Sequence, residues 1–162
     1  MMNYIDIIQK LNLISLPEEV GYFVESYRST LQFIPPGLTE QRSACTAIYY
    51  LITPNDFSAL HSVRYDEIFH FYAGDPAEML MIDENGNKKK LTLGSLFNGF
   101  DQQVIVPSHT WQGLKLKPGG TWALLGTTVA PGSKFKDFKI DSRDNLIKKF
   151  PHLISEIQRY TR

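Results

Sequence analysis

Short apolar runs follow one another along this chain at nearly regular intervals, with no long amphipathic segment between them. Pro54-Asn55-Asp56, Asp83-Glu84-Asn85-Gly86-Asn87 and Pro118-Gly119-Gly120 punctuate the runs with residues that tolerate left-handed φ or preset a bend. Between these clusters lie Tyr22 to Ser29, Cys45 to Ile52, Phe57 to Val63, Ile68 to Ala73, Ala77 to Ile82, Lys90 to Leu93, Gln102 to Val106, Trp111 to Leu116 and Thr121 to Val129. Nine or ten strands at this spacing predict an all-β sandwich or barrel. A parallel α/β sheet is excluded, because it needs helices alternating with the strands. Cys45 to Ile52 is almost continuously apolar and reads as a central strand covered on both faces. Tyr22 to Ser29 mixes polar and apolar groups on both faces, as either a wall of a wet cavity or an exposed edge would.

The ends carry helical signals. Asn3 caps a short helix with Asp6 at its third position and Ile5, Ile8 and Leu11 as its stripe, ending near Asn12. Pro17-Glu18-Glu19 reads as a turn, and Phe33 to Arg42 as a loop long enough to serve as a lid or dimer arm. After Pro131-Gly132, Ser142 or Asp144 caps a helix bearing Leu146, Ile147 and Phe150. Pro151 stops it and opens a second one bearing Leu153, Ile154 and Ile157. The expectation is one domain over residues 1–162, with a barrel core at about 21–138 and C-terminal helices at about 142–160.

Composition removes several function classes. Seventeen Lys and Arg balance seventeen Asp and Glu, so no basic excess suggests a nucleic-acid footprint. The run Lys88-Lys89-Lys90 reads as a solvated turn. One cysteine, Cys45, precludes an intramolecular disulfide and favours an intracellular, cytoplasmic setting; within its apolar run it reads as an inert buried thiol. The first ten residues show no signal-peptide pattern, and no apolar run is long enough to cross a bilayer, so neither secretion nor membrane insertion is expected.

Chemistry concentrates between Phe57 and Gly74. His61 stands six residues before Glu67, and Glu67 seven before Gly74. A hairpin here would bring a histidine and a carboxylate together, a pair able to bind a metal or move a proton. Strand alternation puts Phe57, Ala59 and Val63 on the face of His61, and Phe69 and Phe71 on that of Glu67, with His70 turned away. It pairs Gln103 with Ile105, and Gln112 with Leu114 and Leu116. The expected cavity is apolar and aromatic, with His61, Glu67, Gln103 and Gln112 as its polar groups, a pattern suited to a small-molecule ligand. In a catalytic reading His61 is the base, Asp66 or Glu67 orients it, and Tyr27, Tyr49 or Tyr72 returns the proton. Arg28 would hold an anionic group or pair with a nearby carboxylate, and Trp111 would floor the pocket beside Gln112. A metal would have only His61, Glu67 and the weak amide oxygen of Gln112, so a metal cofactor is disfavoured. The plainer alternative makes His61 and Glu67 a structural pair.

These features resemble a cupin. The usual first cupin motif has glycine, H-x-H, glutamate and glycine; His61, Glu67 and Gly74 fall at the right spacing, but Val63 replaces the second histidine. In the usual second motif, P-x-G-x-x-H, the sequence Pro107-Ser108-His109-Thr110-Trp111-Gln112 keeps the proline. It places His109 at the glycine and Gln112 at the histidine. The blocks GYFVESYRS, TAIYYLI, FSALHSVRYDEIFHFYAG, QVIVPSHTWQG and VAPGSKFKDF together resemble cupin family 5, with PEEVG where that family tends to show PEGG. The resemblance implies a double-stranded β-helix (jelly-roll) barrel, usually dimeric, and no particular reaction. Some cupin epimerases of sugar nucleotides use metal-free acid–base chemistry. The functional expectation is therefore a homodimer that binds a small polar metabolite, a sugar or nucleotide derivative, with metal-independent isomerase or epimerase chemistry if it is an enzyme. The alternatives are a non-catalytic binding or sensor protein and, third, a metal-dependent oxygenase.

Overall fold

A computed structural model describes residues 3–15 and 21–162; the turn expected at Pro17-Glu18-Glu19 lies outside them. Helix α1 (Tyr4–Leu11) is opened by a reciprocal capping box, Asn3 and Asp6 each accepting the other's backbone N–H at 3.0 Å. It is closed by Asn12 at φ 53°. Strands β1 (Ile14–Ser15), β2 (Tyr22–Arg28), β3 (Gln32–Phe33), β4 (Arg42–Ser43), β5 (Thr46–Ile52), β6 (Ser58–Val63) and β7 (Glu67–Gly74) come next. They continue as β8 (Ala77–Ile82), β9 (Lys88–Leu93), β10 (Gln103–Val106), β11 (Trp111–Leu116), β12 (Ala123–Val129) and β13 (Phe138–Ile140). Helices α2 (Arg143–Lys149) and α3 (Ile154–Tyr160) end the chain, joined through a short helical turn that begins at Pro151.

The strands form two facing antiparallel sheets, ordered β1-β2-β5-β12-β7-β10 and β13-β6-β11-β8-β9. Phe69, Phe71, Met79, Leu93, Leu114 and Leu125 pack between them. A second core lies under the C-terminal helices, where Leu146, Phe150, Leu153, Ile157 and Tyr160 cover Leu60, Leu80, Ile82 and Trp111. A third joins Ile7 of α1 to Leu51. Gly74 ends β7 at φ +100°, where a side chain would collide with the Trp122 carbonyl and ring, so the motif's last glycine is a steric requirement.

Two register shifts decide which side chains enter the barrel. In β2 the pairing with β5 slips between Glu25 and Tyr27. Phe23, Glu25 and Arg28 therefore face inward together, although strict alternation puts Arg28 on the other face. In β6 the pairing with β11 slips so that Gln112 faces His61 and Leu114 faces Ser58, and Ser58 turns inward instead of Phe57 and Ala59. The loop expected over Phe33 to Arg42 is closed at its base by the β3–β4 ladder. Arg42 there is fully buried, with its guanidinium forked onto Asp137.

Candidate functional site

A cavity of about 180 Å³ opens between the sheets. One wall comes from consecutive cross-strand rows. Arg28 pairs with Thr46, Thr46 with Val129, and Val129 with Glu67. Beside them run Glu25, Ile48, Thr127 and Phe69. The opposite wall is Ser58, His61 and Val63 of β6 with Phe138 of β13, and Ser133, Lys134 and Phe135 form part of the rim. Arg42 and Asp137 hold that rim from behind: Asp137 also accepts the Lys134 backbone N–H at 2.8 Å.

His61 is 5% exposed. Its Nδ1–H donates to the Ala59 carbonyl at 2.8 Å, and its ring lies on Phe138 with centroids 4.4 Å apart and planes 20° apart. That bond fixes the tautomer and leaves the Nε2 lone pair without a hydrogen-bond partner among the described residues. Burial depresses its pKa to about 4, the Ala59 bond only partly opposing this, so the imidazole is neutral at neutral pH.

Glu67 is buried opposite it. Gln112 donates Nε2 to Glu67 Oε2 at 2.6 Å, bridging the two sheets, and Gln112 is the cross-strand partner of His61. Burial raises the Glu67 pKa by disfavouring the charged form, and the hydrogen bonds from Thr127 and Gln112 only partly oppose it. Gln112 Oε1 is buried and has no hydrogen-bond partner among the described residues.

The residues singled out in the sequence thus divide. His61, Glu67 and Gln112 cluster, and Arg28 reaches the cavity, where Glu25 holds its guanidinium at 2.9 and 2.6 Å. Asp66 does not orient His61. It is exposed in the β6–β7 turn and accepts the Ser108 backbone N–H at 2.7 Å; the Ala59 carbonyl does the orienting. Gln103 lies outside the barrel, because Val104 and Val106 supply the inward face of β10, and its amide meets His70. Tyr27 is 54% exposed beyond the β2 bulge. Trp111, adjacent to Gln112 on a strand, points to the opposite face and packs under the C-terminal helices. Tyr49 and Tyr72 meet edge to face on the outer side of the six-stranded sheet, and Tyr50 is the tyrosine that lines the cavity. Sequence reasoning missed Thr127, although it shares a face with Leu125 and Val129. It also missed Ser58, which only the bulge could place, and Phe138, which required the pairing of β13 with β6.

A resident transition metal does not fit this donor set. Among the described residues no three His, Cys, Asp or Glu side chains converge. Val63 presents hydrocarbon where the motif has a second imidazole, and the Gln112 amide nitrogen is bonded to Glu67.

Two antiparallel sheets closed round an inward histidine and glutamate define a cupin-type jelly-roll barrel. The chain belongs to the Cupin_5 family of the cupin superfamily (DUF985), whose pattern it matches over residues 5–141. It resembles a solved hypothetical protein from Leishmania major (TM-score 0.91, 26% identity, 99% of both chains). A second solved relative is protein SO0799 from Shewanella oneidensis (TM-score 0.90, 31% identity, 100% of this chain and 99% of that one). Uncharacterized protein YML079W of Saccharomyces cerevisiae is 29% identical over 74% of this chain, and the match spans 66% of the yeast protein's length. Oxalate decarboxylase from Bacillus subtilis shares the fold at a TM-score of 0.57 and 15% identity, over 92% of this chain and 37% of that one. Among the described residues no helix is long and apolar enough to cross a membrane.

Proposed function

We propose that this protein binds a small molecule in the barrel cavity, using His61 as a hydrogen-bond acceptor and Glu67 as its partner on the opposite wall. The observation that carries this reading is the unpartnered Nε2 of a buried, rigidly held His61 at the surface of a largely apolar cavity. A few converging polar groups in an apolar cleft are the usual make-up of a ligand site. A second reading, metal-independent isomerisation with His61 as base, draws on the same inward Nε2. Binding is favoured because a histidine depressed to about 4 is a weak base at neutral pH, and among the described residues no carboxylate is hydrogen-bonded to its ring to stabilise the imidazolium. Two copies would associate through the outer face of the six-stranded sheet, where Tyr72 and Ile105 are exposed beyond the reach of α1.

The test is equilibrium dialysis of the protein against protein-free cell extract, beside a Val129→Trp variant whose cavity is filled. A small molecule enriched by the wild type and not by the variant is the expected result, and equal profiles would refute the reading. Incubating that molecule with the protein in heavy water then separates the two readings: deuterium entering a C–H position only when His61 is present establishes proton transfer. Light scattering at micromolar concentration reads the mass of one chain or two.

A further inference from the structure

Charge in the cavity changes with depth. His61, Glu67, Ser58 and Thr127 line it as buried side chains. The cations that line it, among the described residues, are Arg28 and Lys134, and both stand at the mouth with side chains 41% and 40% exposed. Arg28, Thr46, Val129 and Glu67 are successive cross-strand partners, and three strand spacings put about 14 Å of sheet between the first backbone and the last. A carboxylate driven to the inner end would lose its water with no lysine or arginine to replace it, which is strongly unfavourable. At the mouth it keeps part of its hydration and meets cations.

Arg28 is both placed and oriented there. The bulge in β2 turns it inward. Glu25 accepts from Nε at 2.9 Å and from Nη2 at 2.6 Å, and the Ser133 carbonyl accepts from Nη2 at 3.2 Å. Ser133 is itself anchored, its backbone N–H donating to Thr46 Oγ1 at 3.0 Å. These bonds occupy the Nε and Nη2 donors and leave both N–H groups of Nη1 without a partner among the described residues. Lys134, the next residue along the rim, donates to the Gln41 carbonyl at 3.2 Å and lies 3.5 Å from Glu40. Glu40 is shared with Lys136 and Arg42, and Arg42 also pairs with Asp137. In these rim ion pairs four cations, Arg28, Arg42, Lys134 and Lys136, meet three carboxylates, Glu25, Glu40 and Asp137. One positive charge is left over.

Resting on the binding reading above, we infer that the cavity takes an amphipathic monocarboxylate, with its acid group at the mouth on Arg28 Nη1 and the Lys134 ammonium and its apolar body directed inward. The body lies against flat or branched hydrocarbon: Phe23, Ile48, Tyr50, Phe69 and Phe138. The volume of about 180 Å³ suits a single ring, since roughly 150 Å³ accommodates benzene in an apolar protein cavity. The one excess charge matches a carboxylate better than a phosphate monoester, which carries about two negative charges at neutral pH. Glu25 sets the direction of the site: by holding the Nε edge of the guanidinium it leaves Nη1 as the edge open to a ligand.

The test uses four probes on the full-length protein: phenylacetate, phenylacetamide, phenyl phosphate and toluene. Binding is read by calorimetric titration and by the methyl resonances of Ile48, Val63 and Val129 in the cavity wall. Phenylacetate should bind about tenfold more tightly than its amide, which has the same shape without the charge, because hydrogen bonds to an ionised group are the stronger ones. Added salt should narrow that preference in the wild type. Arg28→Met, which retains an apolar stem, should bring phenylacetate down to the affinity of the amide, and Arg28→Lys should restore part of the difference. Equal affinities for acid and amide, or a preference that survives both salt and Arg28→Met, would overturn the inference while leaving a ligand cavity intact. Phenyl phosphate bound more tightly than phenylacetate would overturn the assignment to a monocarboxylate. If no probe, toluene included, perturbs any cavity resonance, the binding reading itself falls along with the inference.

Discussion

Acidification should weaken the fold through His61, and replacing that one side chain should remove the effect. The imidazole is enclosed by the Ala59 carbonyl, Ser58, Phe138 and the cavity wall, with no carboxylate hydrogen-bonded to it among the described residues. Its pKa falls from 6.5 to about 4, so the unfolded chain takes up a proton that the folded chain refuses. The contribution to stability is fully present above pH 6.5 and is lost as pH drops through 6.5 towards about 4. At ~1.4 kcal/mol for each pH unit, the full loss is about 3 kcal/mol. Glu67 acts in the opposite sense: its raised pKa leaves its contribution intact below 4.5 and erodes it as pH rises above that value. Chemical denaturation of the wild type and of His61→Gln at pH 7, 6, 5 and 4 isolates the histidine, because other groups cancel in the difference between the two curves. The wild type should lose about 3 kcal/mol more than the variant between pH 7 and 4. Parallel curves would refute the reasoning: they would mean that His61 is hydrated, or that an ionised Glu67 accompanies it when it protonates.

Two further perturbations test the frame around the cavity. Asp137→Ala leaves the buried Arg42 with Glu40, 2.9 Å from Nη2, as its one remaining carboxylate among the described residues, and should cost about 3 kcal/mol in denaturant unfolding, near the lower end for breaking a buried pair; replacing Arg42 by Met in the same chain should recover much of it. Gly74→Ala forces a side chain onto the Trp122 carbonyl at φ +100°, and a loss of about 2 kcal/mol, seen as a Tm lower by several degrees, is expected.

The fold was legible because its signals are local. Turn clusters such as Asp83 to Asn87 carry their own hydrogen bonds: Asp83 Oδ1 accepts from the backbone of both Asn85 and Asn87. The capping pair at Asn3 and Asp6 does the same for α1. The site was legible only where strict alternation holds. His61, Val63, Glu67 and Phe69 point inward as a period of two requires. Alternation failed at Arg28 and Ser58, where a bulge adds one residue to one strand and turns the side chains beyond it to the other face. It failed differently at Gln103. There the period was right but its phase was not: the wholly apolar pair Val104 and Val106 is buried, and Gln103 faces out with the exposed Ile105. Arg42 gave no local sign at all. Its partner lies 95 residues away in sequence, and only the assembled barrel brings the two together.

Val63 and Gln112 are better understood as one change than as two. Imidazoles at both positions would stand beside His61 and Glu67 as a set of nitrogen and oxygen donors, and a cation held among them would keep Glu67 ionised. With hydrocarbon at Val63 and a carboxamide at Gln112, only the hydrogen bonds from Thr127 and Gln112 offset the burial of a charge at Glu67 among the described residues. Its carboxyl is pushed towards the acid form, and Gln112 ties it across the sheets at 2.6 Å. His61, without a neighbouring anion bonded to it, is pushed towards the neutral imidazole. Both shifts have burial as their largest cause, and both move the site away from ions. Where imidazoles at both positions would offer a set of metal donors, this barrel presents, among the described residues, a neutral imidazole with a free Nε2 and a carboxyl group tied to Gln112.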